Sequence, residues 1–215
     1  MPRIVCLSDT HNCTNEIKVP VGDILIHSGD ATITGTTEEI RRFNQWFSSL
    51  PHKYKVFVAG NHDWLFERAP RAARMLLDRS IIYLQDETVE IESFKIYGSP
   101  WQPRFYDWAF NLMRGAEIAE KWRLIPDDID ILITHGPPHL ILDAVPTRFG
   151  VENAGCEELR KRVETIAGLG RLKLHVFGHI HCGYGTREDL GVRFVNASNC
   201  DEQYKPNQPP IVVDI

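Results

Sequence analysis

The chain has 215 residues, 43% hydrophobic and 25% charged, with a net charge of −5 at pH 7. That length suits one well-buried core better than two domains, so a single domain over residues 1–215 is expected. The acidic balance disfavours a nucleic-acid scaffold, which presents a basic face, and no apolar run approaches the roughly 18 residues of a membrane-spanning helix.

Five cysteines, an odd number with no CxxC pair, argue against a disulfide framework and for a reducing compartment. The chain enters an apolar run at residue 4 with no charged and apolar leader before it. A cytoplasmic protein is therefore expected.

Taken in chain order, apolar runs at 4–7 and 24–27 read as strands and end in Asp9-Thr10-His11 and Ser28-Gly29-Asp30. Thr36 followed by Glu38 and Glu39 reads as a capped helix start. That helix carries Ile40, Phe43, Trp46 and Phe47 on one face and stops before Pro51. A strand over 54–59 delivers Gly60-Asn61-His62-Asp63, and a basic helix over 64–79 is broken or kinked at Pro70.

Runs at 81–84, 88–91 and 94–97 read as short antiparallel strands, followed by an aromatic, irregular stretch over 98–111. A helix over 114–124 and a strand over 129–134 lead to Thr134-His135-Gly136, and 135–155 reads as loop. A helix over 156–167 and a strand over 172–177 deliver Gly178-His179-Ile180-His181, and strands at 192–195 and 211–214 close the chain. Alternating β and α units with late antiparallel strands predict an α/β fold of two sheets flanked by helices.

Each motif thus falls where a strand ends and a loop begins, the place where α/β folds gather their chemistry. Asp9 and His11 flank Thr10, and His179 and His181 flank Ile180, so period-two geometry predicts that each pair shares a side. Asp30 follows a glycine that permits close approach, and its two carboxylate oxygens can bridge two cations. Asn61 adds a neutral oxygen and His135 a further nitrogen. This mixed O/N set suits two divalent transition metals (Mn, Fe, Zn or Co) about 3.5–4 Å apart, with positions open for water and substrate. Such a pair supplies hydroxide near neutral pH for in-line attack on a phosphoryl group. His62 is left without a metal and is placed to protonate the leaving oxygen, with Asp63 beside it to orient the ring or raise its pKa. His27, His52 and His175 read as core or surface residues, and His139 as no ligand.

The ordered set Asp-x-His, Gly-Asp, Gly-Asn-His-Asp, Thr-His-Gly and Gly-His-x-His resembles the calcineurin-like metallophosphoesterase superfamily. The resemblance implies a four-layer α/β/β/α sandwich of two mixed sheets. It also implies one metal on Asp9, His11, Asp30 and His181, a second on Asp30, Asn61, His135 and His179, and His62 as the catalytic acid. Gly98-Ser99-Pro100-Trp101-Gln102-Pro103, His135-Gly136-Pro137-Pro138 and Asn196-Ala197-Ser198 are similar to the small metallophosphoesterase-domain branch. Relatives there that lack the second histidine of the last motif bind metal weakly and retain nucleotide, whereas this chain keeps His181. Ala31-Thr32-Ile33-Thr34 stands where the protein phosphatases of the superfamily have Asp-Arg, which argues against a phosphoprotein substrate.

These readings predict a phosphodiesterase acting on small phosphodiesters such as linear or cyclic nucleotides, with manganese as the metal that supports turnover in vitro. The competing readings are a nucleotide-binding regulatory protein with vestigial activity and, less compatible with the acidic balance, a nuclease. Trp101, Arg104 and Phe105 stand equally well for substrate contacts or for loop packing, and Arg148 is a weaker substrate candidate.

Overall fold

The computed structural model describes residues 1–215. Its first half runs β1 (Arg3–Leu7), β2 (Ile24–His27), α1 (Thr37–Ser49), β3 (Tyr54–Phe57), α2 (Trp64–Arg68), α3 (Pro70–Arg74), β4 (Ile81–Tyr83), β5 (Glu87–Ile91) and β6 (Phe94–Ser99). The second half runs β7 (Gln102–Pro103), β8 (Asn111–Leu112), α4 (Ala116–Trp122), β9 (Ile131–Thr134), β10 (Ala144–Thr147), β11 (Gly150–Asn153) and α5 (Glu157–Gly168), then β12 (Leu174–Phe177), β13 (Gly185–Asp189), β14 (Val192–Asn196) and β15 (Ile211–Asp214).

Two mixed sheets result. The first has the order β15-β1-β2-β3-β4 and is parallel except at β15; the second has the order β13-β14-β12-β9-β6-β5 and is parallel from β14 to β6. Strand alternation sorts the side chains. Ile4 and Cys6 of β1 face the second sheet, and Val5 and Leu7 face the helices.

The buried side chains fall into three clusters of 17, 15 and 15 residues, one for each interface of a four-layer stack. The central cluster joins the sheets, with Ile24, Ile26 and Val56 against Ile131, Ile133 and Val176. The second packs Ile40, Phe43 and Phe47 of α1 on the first sheet, and the third packs Trp122 of α4 and Val163 of α5 on the other. Full burial of each such side chain stabilises the fold by roughly 1.5–3 kcal/mol. The α/β/β/α sandwich expected from the sequence is therefore the observed fold.

Several elements differ from expectation. Strand β4 joins the first sheet parallel to β3, so only β5 and β6 form the antiparallel pair expected across 81–97. The basic helix splits at Ala69 into α2 and α3 and ends at Arg74, because Pro70 lacks the N–H that continuation requires. The expected loop over 135–155 contains the hairpin β10–β11, and β13 pairs with β14 at an edge where no strand was expected.

Candidate metal centre

Parallel strands β1, β2 and β3 of one sheet and β9 and β12 of the other end on the same side of the stack, and every motif lies just past one of those ends. The backbone there is not extended. Asp9 (φ 51°), His11 (φ 39°), Asp30 (φ 54°) and His179 (φ 67°) all occupy the left-handed region, which side-chain-bearing residues rarely adopt. Asp9 and His11 do converge, but through two left-handed turns rather than the strand alternation expected. Four strained residues around one point mark a site whose geometry the surrounding fold imposes. Gly178 makes room for it, since a Cβ there would lie 2.0 Å from Asp9 Oδ2.

The side chains form overlapping clusters: Asp9, His11 and His181; Asp30, His135 and His179; and His11, Asp30 and His62. Asp30 belongs to two of them. Its Oδ1 accepts from His62 N at 2.8 Å, while Oδ2 faces His135 Nε2 at 3.3 Å and both His11 and His62 Nε2 at 3.9 Å. Asn61 Oδ1 lies 2.9 Å from His135 Nε2. Asp9 Oδ1 lies 3.3 Å from His181 Nε2, while Asp9 Oδ2 accepts from Ser198 Oγ at 2.9 Å. All eight residues expected from the sequence are thus brought together.

The donor set fits divalent cations. A carbonyl oxygen only accepts, so four imidazoles must donate from Nδ1: His11 to Thr32 O (3.2 Å), His62 to Ile33 O (2.7 Å), His135 to Ser28 O (3.0 Å) and His181 to Asp201 O (2.9 Å). Their Nε2 lone pairs are left facing inward, a pattern typical of metal-bound histidine. There they meet other acceptors: His11 and His181 Nε2 lie 3.3 Å apart, and His135 Nε2 faces Asn61 Oδ1 and Asp30. Acceptors at such distances repel unless a proton or a cation lies between them.

Without metal, protons take that place. Burial opposes a charge on His135, but the Asp30 carboxylate beside it outweighs the burial and lifts the imidazole to about 9. His181 likewise rises to about 9 against its burial, through Asp9. Burial dominates at His11 and His179, which fall to about 4 and about 3. Burial alone would raise the carboxyls of Asp9 and Asp30, yet the surrounding imidazoles hold both well below the usual range.

Asp63 has a different task from the one expected. It does not touch the His62 ring; its carboxylate accepts from Gly60 N (2.8 Å), Thr32 N (3.0 Å) and Thr32 Oγ1 (2.7 Å), tying the Asp30 and Asn61 loops together. Burial, with the charge of Asp30 added, raises it to about 6. His27 and His175 are core residues as expected, and each also clasps the threonine beside a site residue. His27 Nε2 lies 3.0 Å from Thr10 Oγ1 and His175 Nε2 lies 2.8 Å from Thr134 Oγ1. His52 is buried on Pro20 O, and His139 lies by Asp143, away from the clusters.

Of the proposed substrate contacts, Trp101 is a packing residue, with Nε1 on Asp86 and Lys121 over its ring. Arg104 is exposed beside Asp107, and Arg148 beside Phe149 on the β10–β11 turn. Phe105 is half exposed, its ring 6.1 Å from that of His179. Sequence reasoning missed two closer aromatics. Trp108 lies over His62 with ring centroids 4.1 Å apart, and Tyr204 meets His11 at 4.7 Å and His181 at 5.5 Å. Ser198 had a legible signal, since it too follows the end of a parallel strand, whereas Tyr204 sits in a loop folded around Asp201 and had none.

The profile of the calcineurin-like phosphoesterases matches residues 2–183, a span that includes all eight candidate metal and acid residues. Metallophosphoesterase domain-containing protein 1 of Homo sapiens and that of Mus musculus are each 45% identical over 235 residues, 99% of this chain and 71% of theirs. A UPF0046 protein of Caenorhabditis elegans is 38% identical, over 99% of this chain and 80% of its own length. With the sandwich fold and the Asp/His clusters in place, the chain belongs to the calcineurin-like phosphoesterase family, whose members are metal-dependent phosphoester hydrolases.

Proposed function

We propose that the protein is a dinuclear phosphodiesterase for small phosphodiesters, with manganese as the metal that supports turnover in vitro. Asp9, His11, Asp30 and His181 would hold one ion, and Asp30, Asn61, His135 and His179 the other, with Asp30 shared. Bound there, the ions supply Lewis-acid charge to the phosphoryl oxygens and a nucleophile available near neutral pH.

The observation that carries the choice of diester is that no lysine or arginine forms a hydrogen bond or ion pair with any of the eight site residues. A monoester dianion brings one more negative charge than a diester monoanion and calls for a cation to meet it. The rim is aromatic instead. Trp108, Tyr204 and Phe105 surround the imidazoles and favour an ester that carries a planar group, such as a nucleoside.

In this reading His62 is the acid. Its Nδ1–H stays on the Ile33 carbonyl, so the proton it delivers to the leaving oxygen is the one on Nε2, the nitrogen that faces Asp30. Trp108 covers one face of the ring and limits its rotation.

The test is hydrolysis of bis(4-nitrophenyl) phosphate against 4-nitrophenyl phosphate by the manganese-loaded protein. The diester is expected to be the better substrate. His62→Ala is expected to lower kcat by about 10²–10⁴-fold on a diester with a poor leaving group while metal content is kept. Faster turnover of the monoester, or full activity of His62→Ala on the diester with a poor leaving group, would overturn the proposal.

A further inference from the structure

Glu39, in the first turn of α1, is only 7% exposed and forms no ion pair, an unusual state for an acid. Its carboxylate accepts instead from Asn12 Nδ2 (2.7 Å), Ile33 N (3.3 Å), Thr34 N (3.2 Å), Thr34 Oγ1 (2.7 Å), Thr36 N (3.0 Å) and Thr36 Oγ1 (3.0 Å). Burial opposes the charge, but these bonds outweigh it and hold the carboxyl at about 2. The helix cap accounts only for the two bonds from Thr36, the one from its N being matched by Glu39 N donating back to Thr36 Oγ1. The other four reach outward and fix the backbone of residues 33–34 and the side chain next to His11.

Ile33 is the residue whose carbonyl receives the His62 Nδ1–H at 2.7 Å. Asp63 secures the neighbouring peptides of Ala31 and Thr32 but makes no bond to Ile33. We propose that Glu39 is a positioning residue for His62: it holds the Ile33 carbonyl in place, and that carbonyl holds the ring with Nε2 toward the reacting phosphate. This inference rests on the reading of His62 as the acid. In the step it serves, the Nε2 proton passes to the leaving oxygen as the P–O bond breaks, and His62 is left neutral with its proton on Nδ1.

A residue that acts through an acid matters most when the leaving group needs a proton. The experiment therefore compares methyl phenyl phosphate, with a basic leaving oxygen, and methyl 4-nitrophenyl phosphate, with a weakly basic one, using the manganese-loaded full chain. Glu39→Ala is expected to slow the phenyl ester about tenfold or more and the nitrophenyl ester by no more than about twofold. Glu39→Gln, which keeps one acceptor oxygen, should recover part of the loss and serves as the test if the alanine variant does not fold.

In a His62→Ala background the Glu39 change should add no further loss. Independently of activity, nitrogen-15 spectra of the metal-free protein should show His62 as the Nδ1–H tautomer in the wild type. Glu39→Ala should scramble that signal while the backbone amide spectrum is kept. Equal slowing of both esters, additive loss in the His62→Ala background, or an unchanged His62 tautomer would overturn the role of Glu39. Should His62→Ala itself slow both esters equally, the reading of His62 as the acid fails, and the tautomer signal still decides whether Glu39 positions the ring.

Discussion

His135 and His181 carry, in the metal-free protein, the protons that cations would replace in the proposed centre. Both are raised from 6.5 to about 9. Raised in the fold above the unfolded value, they contribute stability that is complete below pH 6.5 and lost as pH rises through about 9. The melting temperature of metal-free protein should therefore fall across that interval, and that of metal-loaded protein should not. Metal uptake at pH 7 should release about two protons per chain, read by calorimetry in buffers of different ionisation enthalpy. Uptake without proton release, or a metal-free protein that gains stability toward pH 9, would contradict these assignments. On the acid side, burial lowers His27 and His175 to about 3, so protonating them costs stability progressively as pH falls below 6.5.

The β10–β11 hairpin is largely exposed to solvent. All four residues of β11 are exposed, and the turn carries Arg148 and Phe149, the latter 83% exposed. Native proteolysis favours such tips, so limited trypsin should cut first after Arg148, with the fragments held together by the sheets. A first cut within 64–79, which also contains arginines, would contradict this order. The same hairpin shows what the sequence left hidden. Its strand β10 contains Pro146, which speaks against strand pairing, and β11 has no buried face to leave an alternating pattern. By contrast β1, β2, β9 and β12 are buried almost throughout and were legible as apolar runs. Strand β4 was legible as a strand but not in its partner, because three residues do not record which sheet completes them. The motifs were legible because the site residues follow the strand ends. The left-handed turns at Asp9 and His11, the role of Asp63 and the placing of Trp108 and Tyr204 were not, since each depends on loops that meet only in the folded chain.

Across the whole molecule, the sandwich brings the carboxyl ends of two sheets to one edge, and neither sheet holds a complete donor set. The first supplies Asp9, His11, Asp30, Asn61 and His62, and the second His135, His179 and His181. Packing of the central cluster therefore sets the distance between the two halves of the site, here 3.3 Å from His11 Nε2 to His181 Nε2. The most direct measurement is anomalous scattering from a crystal of the manganese-loaded protein. Two peaks about 3.5–4 Å apart are expected, one among Asp9, His11, Asp30 and His181 and the other among Asp30, Asn61, His135 and His179. A single peak, or two peaks that do not share Asp30, would contradict the dinuclear centre.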